Sequence, residues 1–220
     1  MTTTGPCAYL AEMLAWRRAF GTVLIAGLLW PGACTPGRVE APKGGVAFPR
    51  PIPKADFTLT DTDGKPFQFR QATEGYVTLL FFGYTHCPDV CPVHMANIAA
   101  ALHKQPPEIA RRFKVVFVST DPDRDTPARL RSWLDNFDRS FIGLRGPIDS
   151  VNRIQRSFHF APAQREEPTE PGKDYTVGHT ALILAFTTDD LAHVAYPFGV
   201  RQEQWAEDMP RLVRDPSGWK

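Results

Sequence analysis

Tyr76-Val77-Thr78-Leu79-Leu80-Phe81-Phe82-Gly83 is a near-continuous apolar run, rich in aromatic and β-branched residues and closed by a glycine. A strand with one wet face would alternate; an unbroken apolar run of this length reads as a central strand covered on both faces. On its carboxyl side, Val90, Met95, Ile98, Ala99 and Leu102 recur at helical spacing and predict a helix over 88–104. Val115-Val116-Phe117-Val118 reads as a second buried strand. Thr126 then supplies an N-cap and Pro127 the first helical residue, with Leu130, Trp133, Leu134 and Phe137 continuing the helical pattern. A third helix is expected over 151–158, and a solvated loop over 163–173, which holds three glutamates and two prolines. Strands over 180–187 and 193–196 and a closing helix over 202–213 complete the carboxyl half. On the amino side, Phe57–Thr60 and Pro66–Phe69 flank the turn Asp61-Thr62-Asp63-Gly64 and read as a hairpin. Strands and helices in this order give an α/β layering, and the chain has no internal repeat.

The first 33 residues read as an address, not as fold. Arg17 and Arg18 precede twelve mostly apolar residues, Ala19 to Trp30, and Pro31-Gly32-Ala33 leads into Cys34. The run is shorter than the ~20 residues that span a bilayer, so a signal peptide is the first reading and a membrane anchor the second. Gly32-Ala33-Cys34 resembles the end of a bacterial lipoprotein signal, with Cys34 the lipidated residue; Pro31 departs from the usual aliphatic residue. Met13 is a candidate start, since 1–12 make a poor n-region. Residues 34–54, with Pro36, Pro42, Pro49, Pro51 and Pro53, are expected to be an extended tether, and 55–220 the folded domain. The expected location is therefore outside the cytoplasm, on the periplasmic face of the bacterial inner membrane. With 25 basic and 24 acidic residues, the chain has no basic field for nucleic acid.

The feature that carries chemistry is Cys87-Pro88-Asp89-Val90-Cys91-Pro92, where the buried strand gives way to a helix. Cysteines at i and i+4 share one helical face, a spacing open to a disulfide and to two thiolates on one metal. The helix amino terminus lowers the pKa of a nearby thiol. Two sulfurs do not select between redox exchange and metal binding; a third ligand does. Of six histidines, His86 adjoins the motif and His94 lies three residues past Cys91, so both are within reach. His94 and His103 read as surface helix residues, His159 as packing between Phe158 and Phe160, and His193 as solvent-facing on a strand. His179, after the polar loop and before an apolar strand, is in the segment that such a layering brings beside the first helix terminus. Two thiolates and one imidazole suit Cu(I), with room for Cu(II); zinc would want a fourth ligand. Asp121 to Asp125 around Arg124 reads as loop-forming ion pairs and a helix cap, or else as electrostatic control or docking beside the site.

Gly83-Tyr84-Thr85-His86-Cys87-Pro88-Asp89-Val90-Cys91-Pro92 resembles the copper motif of the SCO/SenC family of copper chaperones. Val118 to Pro127 and Phe141 to Gly146 resemble that family's second and third signatures, and the likeness runs over about residues 52–213. The resemblance implies a thioredoxin-like α/β fold, a central mixed sheet flanked by helices with an N-terminal hairpin. It implies copper held by Cys87, Cys91 and His179. It also implies a role in assembling cytochrome c oxidase, with the subunit carrying the binuclear copper centre as partner. Other copper chaperones or thiol reductants are further partners, and an alternative role is reduction of a partner's cysteines by Cys87 and Cys91. One position departs: the family usually carries Asp just before the ligand histidine, where this chain has Gly178.

Overall fold

The computed structural model describes residues 41–168, 172 and 174–214. Its first strand, β1 (Val46–Pro53), is followed by the hairpin β2 (Thr58–Asp61) and β3 (Pro66–Gln68), then by the short α1 (Phe69–Ala72). A parallel core comes next: β4 (Val77–Gly83), α2 (Val90–His103), α3 (Pro107–Ala110), β5 (Phe113–Ser119), α4 (Pro127–Asp135) and β6 (Ile142–Arg145). After α5 (Ile148–Ser157) come β7 (Gln164–Glu166), β8 (Thr176–Gly178), β9 (Ile183–Phe186), β10 (Leu191–Tyr196) and α6 (Gln202–Arg214).

Eight strands form one mixed sheet in the order β1-β10-β9-β4-β5-β6-β2-β3, with β4 parallel to β5 and β5 to β6 and the other pairs antiparallel. Every residue of β4 is buried, because both faces of the sheet are covered. Val77, Leu79 and Phe81 pack with α2, α4 and α6 through Met95, Leu130 and Trp205. Leu80 and Phe82 pack on the opposite face with Leu59, Phe69 and the α5 side chains Val151 and Ile154.

Register decides where the chemistry can gather. β4 and β5 run in step from Val77↔Phe113 to Gly83↔Ser119, so their following loops leave the same edge of the sheet. β9 runs against β4, pairing Thr78 with Phe186 and Leu80 with Leu184. Continued past the last pair, that register brings the segment before β9 level with the end of β4. Loops at the carboxyl ends of parallel strands are where α/β folds hold ligands.

Five expectations need correction. Residues 46–53, expected within a tether, form β1 on the edge of the sheet, pairing Val46 with Ala195 and Pro53 with Leu191. Prolines are tolerated there because an edge strand leaves N–H positions unpaired, and the register shifts between Ala47 and Ile52. The folded domain therefore begins before residue 55. The loop expected over 163–173 contains β7, which pairs with β8 in a two-stranded ribbon. His94 and His193 are buried, not exposed; His193 is held by Asp189 at 2.8 Å. His159, expected as packing, is exposed with a positive φ of 61°. Residues 1–33, the candidate start Met13, and Cys34 lie outside the described residues. Among those described, no helix is long and apolar enough to cross a membrane.

Candidate metal centre

Cys87 lies in the loop after β4 and Cys91 in the first turn of α2. The loop is tight: the Cys87 N–H donates to the Tyr84 carbonyl at 3.2 Å, and the Cys91 N–H points at the Cys87 sulfur at 3.5 Å. Beneath it, a carbon on Gly83 would stand 2.8 Å from the Cys91 sulfur and 2.8 Å from the Phe81 ring, so only glycine lets the helix head sit this close.

The loop is pinned from below by Asp125. Its buried carboxylate accepts from the Thr85 N–H at 3.2 Å, the Thr85 hydroxyl at 2.6 Å and the Ser119 hydroxyl at 2.6 Å. Burial raises the Asp125 pKa, and these donors oppose that rise. Arg145 braces the same turn by donating to the carbonyls of Asp125 at 3.1 Å and Pro122 at 2.9 Å. The acidic stretch is thus the loop-forming and capping framework among its two readings, with Thr126 capping α4 by accepting from the Arg129 N–H.

His179 arrives from the other side, at the end of β8. Its Nε2 lies 3.7 Å from the Cys91 sulfur, and its Nδ1 lies 3.3 Å from the Thr180 carbonyl. The tautomer with the proton on Nδ1 donates to that carbonyl and presents the Nε2 lone pair to a metal, whereas the one with the proton on Nε2 donates toward the sulfurs. The ribbon that carries it is clamped to the acidic loop. Arg124 stacks on the Tyr175 ring at 3.5 Å, with Arg165 on the ring at 3.8 Å. Arg124 also pairs with Asp121 and Asp174, and the Tyr175 hydroxyl donates to Asp121 at 2.9 Å. At 178, where the acid is missing, a Cβ would meet only the tip of the exposed Glu166 side chain from the facing strand, which accepts from the Thr176 hydroxyl at 3.2 Å and is free to swing aside.

The donor atoms of Cys87, Cys91 and His179 lie within 4.8 Å of one another, and no fourth Cys, His, Asp or Glu joins them among the described residues. Bonds of ~2.0–2.3 Å to one ion span such a set after small side-chain rotations. The cysteines are unbridged and share their charge unequally. The Cys91 thiol donates to Cys87 and, with His179 and backbone N–H groups, pulls the Cys87 pKa down to about 3 against its burial. Burial and the neighbouring Cys87 sulfur push the Cys91 thiol well above its usual range. The resting pair is a partly exposed thiolate beside a buried thiol. Two soft sulfurs and one imidazole, with no fourth Cys, His or carboxylate among the described residues, fit Cu(I) better than zinc.

One neighbour was not foreseen as part of the site. Tyr84 sets its ring edge-on to His179 at 5.8 Å, and its hydroxyl interacts with Cys87; the signal was its position three residues before Cys87. His94 packs against Phe81 behind the site. His86 is not among the gathered donors; its Nδ1 sits 3.2 Å from the Thr85 hydroxyl and 3.8 Å from the Asp125 carboxylate.

The family model for SCO1/SenC matches residues 49–214. The chain belongs to the SCO1/SenC family. A protein of Stutzerimonas stutzeri named for copper binding is 33% identical over 142 residues, 64% of this chain and 66% of that one. Protein SCO2 of yeast mitochondria (Saccharomyces cerevisiae) is 32% identical over 137 residues, 62% of this chain and 43% of that one. The chain thus spans less than two thirds of the length of these curated relatives. Among solved structures, apo Sco1 from Thermus thermophilus superposes with a TM-score of 0.66 at 33% identity, covering 77% of this chain and 96% of that one. Copper-bound ScoI from Bradyrhizobium japonicum gives 0.64 at 34% identity, covering 74% and 99%. The mixed sheet flanked by helices is accordingly the thioredoxin-like fold of SCO1/SenC proteins.

Proposed function

We propose that this SCO1/SenC protein is a copper carrier that holds one copper ion through Cys87, Cys91 and His179. Its recipient is the binuclear copper centre of cytochrome c oxidase. The observation that carries the reading is the convergence of two sulfurs and an imidazole nitrogen within 4.8 Å at the carboxyl edge of the sheet. The proposed setting is the periplasmic face of a bacterial inner membrane, with residues 1–33 as leader or anchor and Cys34 as the lipid attachment point when the leader is cut.

Titration of the reduced protein with Cu(I) against a competing chelator is the test. A stoichiometry near one is expected, lost in Cys87→Ser and Cys91→Ser, with His179→Ala weakening Cu(I) and abolishing Cu(II) binding. Retention of full-strength Cu(I) and Cu(II) binding by His179→Ala would overturn the three-ligand site.

A second reading is favoured by one observation, the low pKa of the half-buried Cys87 beside a protonated Cys91. As a thiol reductant, Cys87 thiolate attacks a partner disulfide and releases one partner thiolate. Cys91, losing its proton, then displaces the second and leaves a Cys87–Cys91 disulfide. Exchange by the metal-free protein that is indifferent to His179→Ala would favour this role over copper carriage.

A further inference from the structure

His94 follows Cys91 by three residues on α2, which sets the two side chains on one helical face. Both are buried, Cys91 completely and His94 to 3% exposure. The imidazole is enclosed by Phe81 at 4.9 Å and Phe198 at 5.8 Å. Buried polar atoms are ordinarily hydrogen-bonded, yet His94 Nε2 has no partner. Burial, with His179 nearby, brings its pKa down to about 4, so the ring is neutral and its unprotonated nitrogen keeps a lone pair. An aromatic or aliphatic residue would fill this space without burying an unmet polar atom.

His94 and His179 flank the same phenyl ring, at 4.9 and 5.8 Å from Phe81. They differ in what carries them. His179 stands beyond β8 on the clamped ribbon, whereas His94 shares its helix with Cys91. An acceptor that takes copper must displace a ligand, and the one on a separate element is the one that can leave without disturbing the sulfurs. Phe198, the outer cover of the His94 ring, is itself 44% exposed and lies in the loop between β10 and α6.

We propose that His94, whose nitrogen stands outside the gathered donor set, swings in as a second nitrogen ligand for copper, joining Cys87 and Cys91 when His179 is withdrawn and so keeping Cu(I) at the head of α2 during transfer. The inference rests on the copper-carrier reading. It assigns the unpartnered nitrogen a soft monovalent cation as its ligand, and it gives the site two alternating three-coordinate states.

The test is X-ray absorption at the copper edge on the full chain with one equivalent of Cu(I), together with chelator competition. In His179→Ala the copper is expected to retain two sulfurs and one imidazole, recognised by its multiple scattering. In His94→Phe/His179→Ala, which keeps the ring volume at 94, the imidazole signal disappears and Cu(I) affinity falls at least ~10-fold below that of His179→Ala, about 1.4 kcal/mol. Sulfur-only coordination in His179→Ala overturns the proposal, and that spectrum decides even if the double variant does not fold. Equal affinity in the single and double variants overturns it as well. Absence of Cu(I) from the wild-type chain, or binding indifferent to Cys87→Ser and Cys91→Ser, defeats the carrier reading itself and the His94 role with it.

Discussion

At Gly83 the backbone of β4 comes within a carbon's width of the site. An alanine there would place its methyl 2.8 Å from both the Cys91 sulfur and Phe81, and 3.1 Å from Phe117, all side chains of the packed core. Gly83→Ala is therefore expected to cost about 1–3 kcal/mol by overpacking and to move the thiolate-to-Cu(II) absorption band. Urea unfolding and the copper spectrum check both; an unchanged transition midpoint would refute the close approach. His94 carries a pH signature of its own. Its pKa falls from the ordinary 6.5 to about 4 in the folded protein, so between those values the unfolded chain binds the extra proton. Stability from this group is intact above pH ~6.5 and lost as pH falls toward ~4, by roughly 3 kcal/mol across the window. Asp125 and Asp208, raised by burial, contribute with the opposite sign. The measurement is therefore the difference between wild type and His94→Phe, with the variant expected to lose less stability on acidification. Neither property was legible in the sequence: a glycine closing a strand does not reveal what presses on it. His94 looked exposed because the residue that caps it, Phe198, is distant in the chain.

Among the elements, the β7–β8 ribbon is where reading the sequence fell short. Its first strand is exposed at every position, so it has no alternation of apolar and polar residues to betray it, and Glu166 with the adjoining Glu167 and Pro168 looks like loop. The buried strands and the cysteine-bearing helix were legible because both-face burial and helical spacing leave strong patterns. His179 was legible as a candidate because it precedes an apolar strand whose antiparallel register returns it to the end of β4. The clamp was not: Tyr175 between two guanidinium groups comes from side chains far apart in sequence. Arg124 donates to Asp174 at 2.8 Å and to the Tyr175 carbonyl at 3.1 Å while covering the Tyr175 ring. Arg124→Ala should release the ribbon, weakening Cu(II) binding ~10-fold through His179 while leaving the cysteine-dependent Cu(I) site largely intact. Arg124→Lys should restore little, since an ammonium lacks the planar fork that stacks and bonds at once. Parallel Cu(I) and Cu(II) titrations check this, and an equal loss for both ions would show that Arg124 supports the α2 side instead.

At the scale of the whole molecule, β1 covers the β10 edge and makes the sheet eight-stranded. Prolines at 49, 51 and 53 hid this strand, yet Phe48 and Ile52 pack against the core, and the flanking residues are tied down. The N–H groups of Lys43 and Gly44 donate to the Asp208 carboxylate at 2.9 and 3.2 Å. Lys54, with a fully buried side chain, pairs with Asp190 at 2.8 Å. A chain beginning at Ala55 would leave the Asp208 carboxylate without two of its donors, deprive Asp190 of its buried partner and bare a long strand edge. Asp190 would keep only the more exposed Arg70 at 3.3 Å; breaking buried pairs is costly, up to about 3–5 kcal/mol where a charge is left wholly uncompensated, and exposed edges invite strand addition. A chain beginning at Ala41 is expected to match the full chain in urea unfolding. One beginning at Ala55 should lose several kcal/mol and self-associate in sedimentation experiments. If the two truncations unfold alike and both stay monomeric, β1 contributes nothing to the domain, and the tether resumes at residue 54.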